Sequence, residues 1–171
     1  MGNRNIYIEN SMFVNLVDPD YEAWSVADNK FSFGGGYTYA MSKQFGIGIN
    51  IETENVSFHN FSTVSEANAR RMSYGAHFQC KYPATDFHFA GGGFMNLAKL
   101  KSDDLKFNFT AFEYGLFLGP EYSIKNFYLA FLFHPKFSYY FSKDDDEEAI
   151  LILNPRLSLK LTYSLNCKTE R

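Results

Sequence analysis

Apolar and polar residues alternate with a period of two along most of this chain, most cleanly toward its C-terminal end. The odd positions read Phe127, Leu129, Phe131, Phe133, Pro135, Phe137, Tyr139 and Phe141, then Leu151, Leu153, Pro155, Leu157, Leu159, Leu161, Tyr163 and Leu165. Every non-proline member is apolar, while the intervening positions include His134, Lys136, Ser138, Asn154, Arg156, Ser158, Lys160 and Thr162. At 46% hydrophobic content, that run would arise by chance about once in fifty thousand trials. A helix needs apolar residues three and four apart, so the pattern predicts two long antiparallel strands.

The same period recurs upstream. Phe31, Phe33, Tyr37, Tyr39 and Met41 alternate with Ser32, Gly34, Gly36 and Thr38. Phe45 to Ile51 alternate with Gly46, Gly48, Asn50 and Glu52, and Met72 to Tyr82 with Ser73, Gly75, His77, Gln79 and Lys81. Phe112 to Tyr122 alternate with Glu113, Gly115, Gly119 and Glu121. Two segments are weaker, because Asn10 interrupts the phase of Ile6 to Leu16, and Gly91 and Gly93 that of Phe87 to Leu97. Eight strands follow, at about 5–17, 30–41, 45–57, 70–82, 87–99, 106–124, 127–142 and 150–166. Phe107 and Phe109 are out of phase with Phe112, which predicts a bulge near Thr110. Pro135 and Pro155 each remove a ladder donor, which predicts a local irregularity between the last two strands.

Connections alternate in length. Residues 42–44, 83–86 and 125–126 are short turns, whereas 18–29, 58–69, 100–105 and 143–149 form longer loops. An even strand count with short turns at one end and long loops at the other is the pattern of a transmembrane barrel. The whole chain, 1–171, has room for one such domain. Volume decides which face points out. The lumen of an eight-stranded barrel is only wide enough to be filled by side chains. Rows of Phe, Leu, Ile and Tyr cannot all enter it, but a face rich in Gly, Ser and charge can. The chain therefore reads as an all-β, eight-stranded antiparallel up-and-down transmembrane β-barrel, apolar outside and charged inside. In water its outer surface would exceed the apolar patch a soluble protein tolerates.

Composition adds detail. Aromatics make up 19% of the chain, and rings prefer the membrane–water interfaces. Tyr39, Phe45, Tyr82, Phe87, Tyr122, Phe127 and Tyr163 fall at the short-turn end, and Phe31, Phe58, Tyr139, Tyr140 and Phe141 at the other. Net charge is −3, which offers nothing to nucleic acid. The inward phase carries Glu9, Glu52, Glu54, Glu113 and Glu121 against Arg71, Lys81, Lys136, Arg156 and Lys160, with His77 and His134 besides. Unpaired buried charge is costly, so a connected network is expected, with Glu113 near Lys136 and Glu9 near Lys160. The long loops hold twelve acids against two lysines, a net −10 that leaves +7 elsewhere. Asp144, Asp145, Asp146, Glu147 and Glu148 form the densest acidic run, with no spacing that matches a calcium loop.

Chemical motifs are sparse. Cys80 and Cys167 have no Cys or His at ligand spacing, so neither a metal site nor a cofactor is expected. His59 with Ser62, Ser65 and Glu66, or His134 with Ser138, are the residues a lipid-directed hydrolase would need. Neither set sits in a nucleophile motif, and no catalytic residue is assigned. The glycine runs at 34–36, 46–48 and 91–93 lack the strand-to-helix context of a phosphate loop and predict thinning of the wall.

On strand count, alternation and loop asymmetry the chain resembles the small eight-stranded outer-membrane barrels of Gram-negative bacteria, the OmpX, OmpA transmembrane-domain and Opa-like group. The resemblance implies a removed leader, long loops facing outside, and both termini in the periplasm. It implies a monomer in the lipid bilayer beside lipopolysaccharide. The expected function is non-enzymatic: acidic loops displayed for surface interaction, adhesion or envelope integrity. A lipid A-modifying enzyme and a minor pore stand as alternatives.

Overall fold

The structure, a computed structural model, describes residues 4–13, 25–26, 31–60, 65–82, 86–102, 107–141 and 150–165. Among the described residues lie nine strands in chain order: β1 (Arg4–Phe13), β2 (Ser25–Val26), β3 (Phe31–Ala40), β4 (Phe45–Asn60), β5 (Ser65–Tyr82), β6 (Phe87–Ser102), β7 (Phe107–Ile124), β8 (Phe127–Phe141) and β9 (Ile150–Leu165). Eight are long, and β2 is a two-residue strand lying antiparallel on the upper part of β4, Ser25 opposite His59. Each long strand pairs antiparallel with its chain neighbour, and β1 pairs antiparallel with β9. The sheet is therefore closed into a barrel.

Alternation places the side chains. Ile49 is 65% exposed on the outer wall, and Phe131 and Leu157 are exposed with it, while Glu113 is fully buried and Arg156 nearly so. The seven aromatics of the short-turn girdle are all exposed, as are Phe31 and Tyr139 at the loop end. The side chains of Phe58, Tyr140 and Phe141 lie outside the described residues. Cys80 is exposed on the outer wall, and Cys167 lies outside the described residues. At the short-turn end, residues 41–44 join β3 to β4 and residues 125–126 join β7 to β8. In the two-residue turn between β7 and β8, Lys125 has a φ of 55°, the left-handed conformation that such hairpins demand.

Several sequence expectations need correction. The β4–β5 hairpin continues to Asn60 opposite Ser65, and β6–β7 to Ser102 opposite Phe107. The loop expected at 58–69 is therefore mostly strand, and the first three residues of the one expected at 100–105 belong to β6. Above the lipid both faces of a hairpin meet water, so the ladder persists there without an apolar phase. No bulge occurs near Thr110 among the described residues: the β6–β7 register is unbroken through it, and the β7–β8 register is unbroken from Thr110 to Gly115. The phase changes in the side chains and not in the backbone: Ala98, Leu100 and Ala111 are buried on the inner face at this level. Pro135 stands directly opposite Pro155 with the β8–β9 register intact. The irregularity lies on the other side of β8, where the β7–β8 ladder skips from Gly115–Lys136 to Leu118–Phe133 and then to Glu121–Ala130.

Candidate functional site

The lumen is the candidate site, and it is built in layers. Inward-facing positions on β4, β5, β7, β8 and β9 put three acids and three bases together in its outer half. Arg71 donates from Nε to Glu113 (2.7 Å) and from its terminal nitrogens to Glu52 (2.9 Å) and Glu54 (2.5 Å). Arg156 bridges the same two acids from the opposite wall, pairing with Glu52 and, at 3.0 Å, with Glu54. Lys136 completes the set at 2.9 Å from Glu113 and 3.7 Å from Glu52. Arg71, Glu54, Glu113, Lys136 and Arg156 are buried, so each charge depends on the partners packed around it.

The middle layer is largely apolar and aromatic. Ala90, Phe117, Ala130 and Leu132 form a buried cluster with Phe94 against it. Tyr7 stands beside it, edge-on to His77 at 5.6 Å. Lys160 lies with its ammonium 4.0 Å from the centroid of the Tyr7 ring and 5.6 Å from that of Phe117, a cation–π arrangement that desolvation strengthens. It faces Glu9 across the β1–β9 ladder. Glu9 meets His134 Nε2 at 3.0 Å, and His77 pairs with the Thr38 hydroxyl at 2.8 Å. Toward the short turns a second ionic group closes the lumen. Glu121 pairs with Lys81 and, at 2.6 Å, with His88, and the Lys81 ammonium sits 4.0 Å above the Tyr128 ring. A partly open cavity of about 70 Å³ lies among Tyr7, Glu9, His77, Phe117, His134 and Lys160, room for a few waters.

All twelve residues singled out on the inward phase lie on the inner face, and none is exposed. Glu113 and Lys136 are in contact, and Glu9 and Lys160 face each other. The structure divides the twelve into an outer cluster, a middle group of Glu9, His77, His134 and Lys160, and an inner pair of Lys81 and Glu121. Sequence reasoning missed His88 and the inward aromatics Tyr7, Phe94, Phe117 and Tyr128. Their signal is the small residue beside each large one. A Cβ on Gly36 would lie 2.5 Å from the Tyr7 hydroxyl, and one on Gly92 2.6 Å from the Phe117 ring.

The group around His134 is unsuited to nucleophilic catalysis. Ser158 (2.7 Å) and Glu9 (3.0 Å) both meet His134 at Nε2, whereas a serine–histidine–acid relay needs the acid on the other ring nitrogen. Ser138, the partner considered from sequence, turns its hydroxyl to Glu113 at 3.4 Å. Ser62 and the side chains of His59, Ser65 and Glu66 lie outside the described residues, as does the acidic run Asp144 to Glu148. Among the described residues, no group of three His, Cys, Asp or Glu is placed to hold a metal.

An apolar outer wall around an ionic lumen, in a closed eight-stranded sheet, defines the class of small outer-membrane-type β-barrels. No family model and no curated protein matches the sequence. Solved structures match its fold. Outer membrane protein OprG from Pseudomonas aeruginosa superposes with a TM-score of 0.66 at 11% identity, covering 97% of both chains. Neisserial surface protein A gives 0.65 at 10% identity over 94% of this chain and 96% of that one. The outer membrane protein Ail of Yersinia pestis, in a phospholipid bilayer nanodisc, gives 0.54 at 14% identity over 96% and 100%. The likeness is one of fold.

Proposed function

We propose that this protein is a non-enzymatic integral outer-membrane barrel, a sealed scaffold that presents polar loops for contact at the cell surface. The filled lumen carries the reading: two ionic groups separated by a layer of rings and aliphatic side chains leave no wide aqueous route. The fold shared with outer-membrane proteins of two bacterial species and one bacterial genus supports the location, and the outer wall suits lipid. The acids of the long connections, concentrated at Asp144 to Glu148, favour basic partners.

Planar-bilayer recording tests the seal. The inserted protein is expected to give no steady openings, and steady openings would overturn the scaffold reading. Loop contact is tested with the variant D144N/D145N/D146N/E147Q/E148Q in refolded form. Weaker retention than wild type on a cationic surface supports the reading, and equal retention removes the acidic run from it. Loss or gain of acyl chains on lipid A incubated with the purified protein, followed by mass spectrometry, would replace the scaffold with an enzyme.

A further inference from the structure

Along the outer wall of β1 the outward positions read Ile6, Ile8, Asn10 and Met12, and all four are exposed. Asn10 stands opposite Phe33 on β3 and Leu159 on β9, both exposed. Its depth follows from those ladders. Phe33 lies six residues above Tyr39, and Leu159 four above Tyr163, both rings of the short-turn girdle. A strand tilted by about 40° climbs roughly 2.5 Å of membrane per residue, so Asn10 sits about 10–15 Å above that girdle. The apolar band of such a barrel is about 25 Å tall. A carboxamide therefore projects from the wall into the middle of the hydrocarbon.

Among the described residues the Asn10 side chain makes no hydrogen bond. Thr53, opposite Phe33 in the same row, is different, because its hydroxyl donates to the Arg71 carbonyl at 3.4 Å. An amide left without a partner in hydrocarbon is expensive, and a polar group at that depth marks a contact. Water and headgroups are half a membrane away, and acyl chains neither donate nor accept. What remains is a protein group at the same depth. A carboxamide is self-complementary, since its nitrogen donates and its oxygen accepts, so two of them can exchange a pair of hydrogen bonds. Copies inserted in one orientation hold Asn10 at one height, and a two-fold axis along the membrane normal brings each amide onto the other. Gly35, diagonal to Asn10 across the β1–β3 ladder, has no side chain to hold a second wall away, as small residues do where membrane segments approach closely.

We propose that this protein pairs with a second copy of itself through the wall centred on β1, the Asn10 amide of each copy hydrogen-bonded to that of the other. The axis sets β3 of each copy beside β9 of its partner, so that Phe33 faces Leu157 and Leu159 across the contact. The inference departs from the monomer that the family resemblance implies, and it rests on the outer-membrane reading, since it needs hydrocarbon around the wall. A pair presents two sets of acidic loops side by side, which raises avidity for a basic partner that spans both.

The test uses the full chain refolded in density-matched micelles, with sedimentation equilibrium at several protein-to-detergent ratios as readout. Wild type is expected to distribute between monomer and dimer with no larger species, because a two-fold contact closes at two. Asn10→Leu is expected to weaken the dimer by a factor of about 5–30, the range for polar contacts between model membrane helices. Asn10→Gln keeps the carboxamide and should hold the dimer better than Asn10→Leu does. Met95→Leu, exposed on β6 at the far side of the barrel, should associate as wild type does. Leucine suits a lipid-facing wall, so Asn10→Leu should keep heat-modifiable gel mobility and unfold in urea no more readily than wild-type monomer, which separates lost pairing from lost fold. A wild type that stays monomeric at every ratio or forms larger oligomers, or Asn10→Leu pairing as tightly as wild type, overturns the inference. Failure of wild type to insert into phospholipid vesicles would sink the outer-membrane reading instead, so the two failures are distinguishable.

Discussion

Glu113 is fully buried and touches both Arg71 and Lys136, so its charge balances two cations that have no access to bulk water. Glu113→Gln leaves the outer cluster with three bases against two acids. Removing one partner of a buried ionic group typically costs 3–5 kcal/mol, and urea unfolding in micelles should register a loss of that order. Adding Lys136→Met restores the balance and should recover part of it; no recovery would mean that the acid is held by something other than charge. Gly92 answers to packing. A Cβ there would meet the Phe78 carbonyl oxygen and the Phe117 ring, and overpacking of this kind costs about 1–3 kcal/mol. Gly92→Ala should lower the unfolding midpoint, and Phe117→Leu in the same chain should return some of the loss. At this scale the ionic residues were legible, because a charge on the inward phase of a narrow barrel has nowhere else to go. Phe94 and Phe117 were not, because a ring on the polar phase looks like noise until the glycine across the ladder is known to be making room for it.

The strands were legible where one face meets lipid and the other the lumen, because only there does burial impose a period of two. β8 and β9 show it throughout, and their ends at 141 and 165 lie within one residue of the expected positions. β4 and β5 ran past their expected limits because Asn55 to Asn60 and Ser65 to Arg70 keep pairing above the apolar wall, held by backbone hydrogen bonds that leave no mark in composition. The out-of-phase phenylalanines of β7 suggested a bulge for a related reason: the inner face turns apolar around Ala98, Leu100 and Ala111, so the contrast between faces fades while the register holds. A strand-level test of orientation follows. Phe133 is exposed half-way along β8, and Phe133→Arg should destabilise the barrel by about 2–4 kcal/mol, the cost of a cation on the lipid face at mid-depth. A smaller loss than for the same substitution at Phe127, nearer the interface, would mean that the wall does not face hydrocarbon at that height.

For the whole molecule the governing contact is the seam where β1 meets β9. Arg4 stands opposite Leu165 and Phe13 opposite Arg156, so the earliest-made strand waits for the latest before the cylinder can shut. Loop-closure entropy is lost before such distant pairs return any stability, which slows folding. Every other long-strand pair joins consecutive segments, so rewiring the chain would turn this slowest step into a local one. A circular permutant that links the neighbouring ends near Arg4 and Leu165 and opens the chain at 142–149 keeps all the same ladders. It makes the β1–β9 seam a hairpin and moves the long-range closure to β8 and β9. If the seam is rate-limiting because of its sequence span, the permutant should refold into vesicles at a similar overall rate, with β1–β9 contacts now forming early by pulsed hydrogen exchange. Late formation of those contacts in both chains would assign the delay to the residues of the seam themselves.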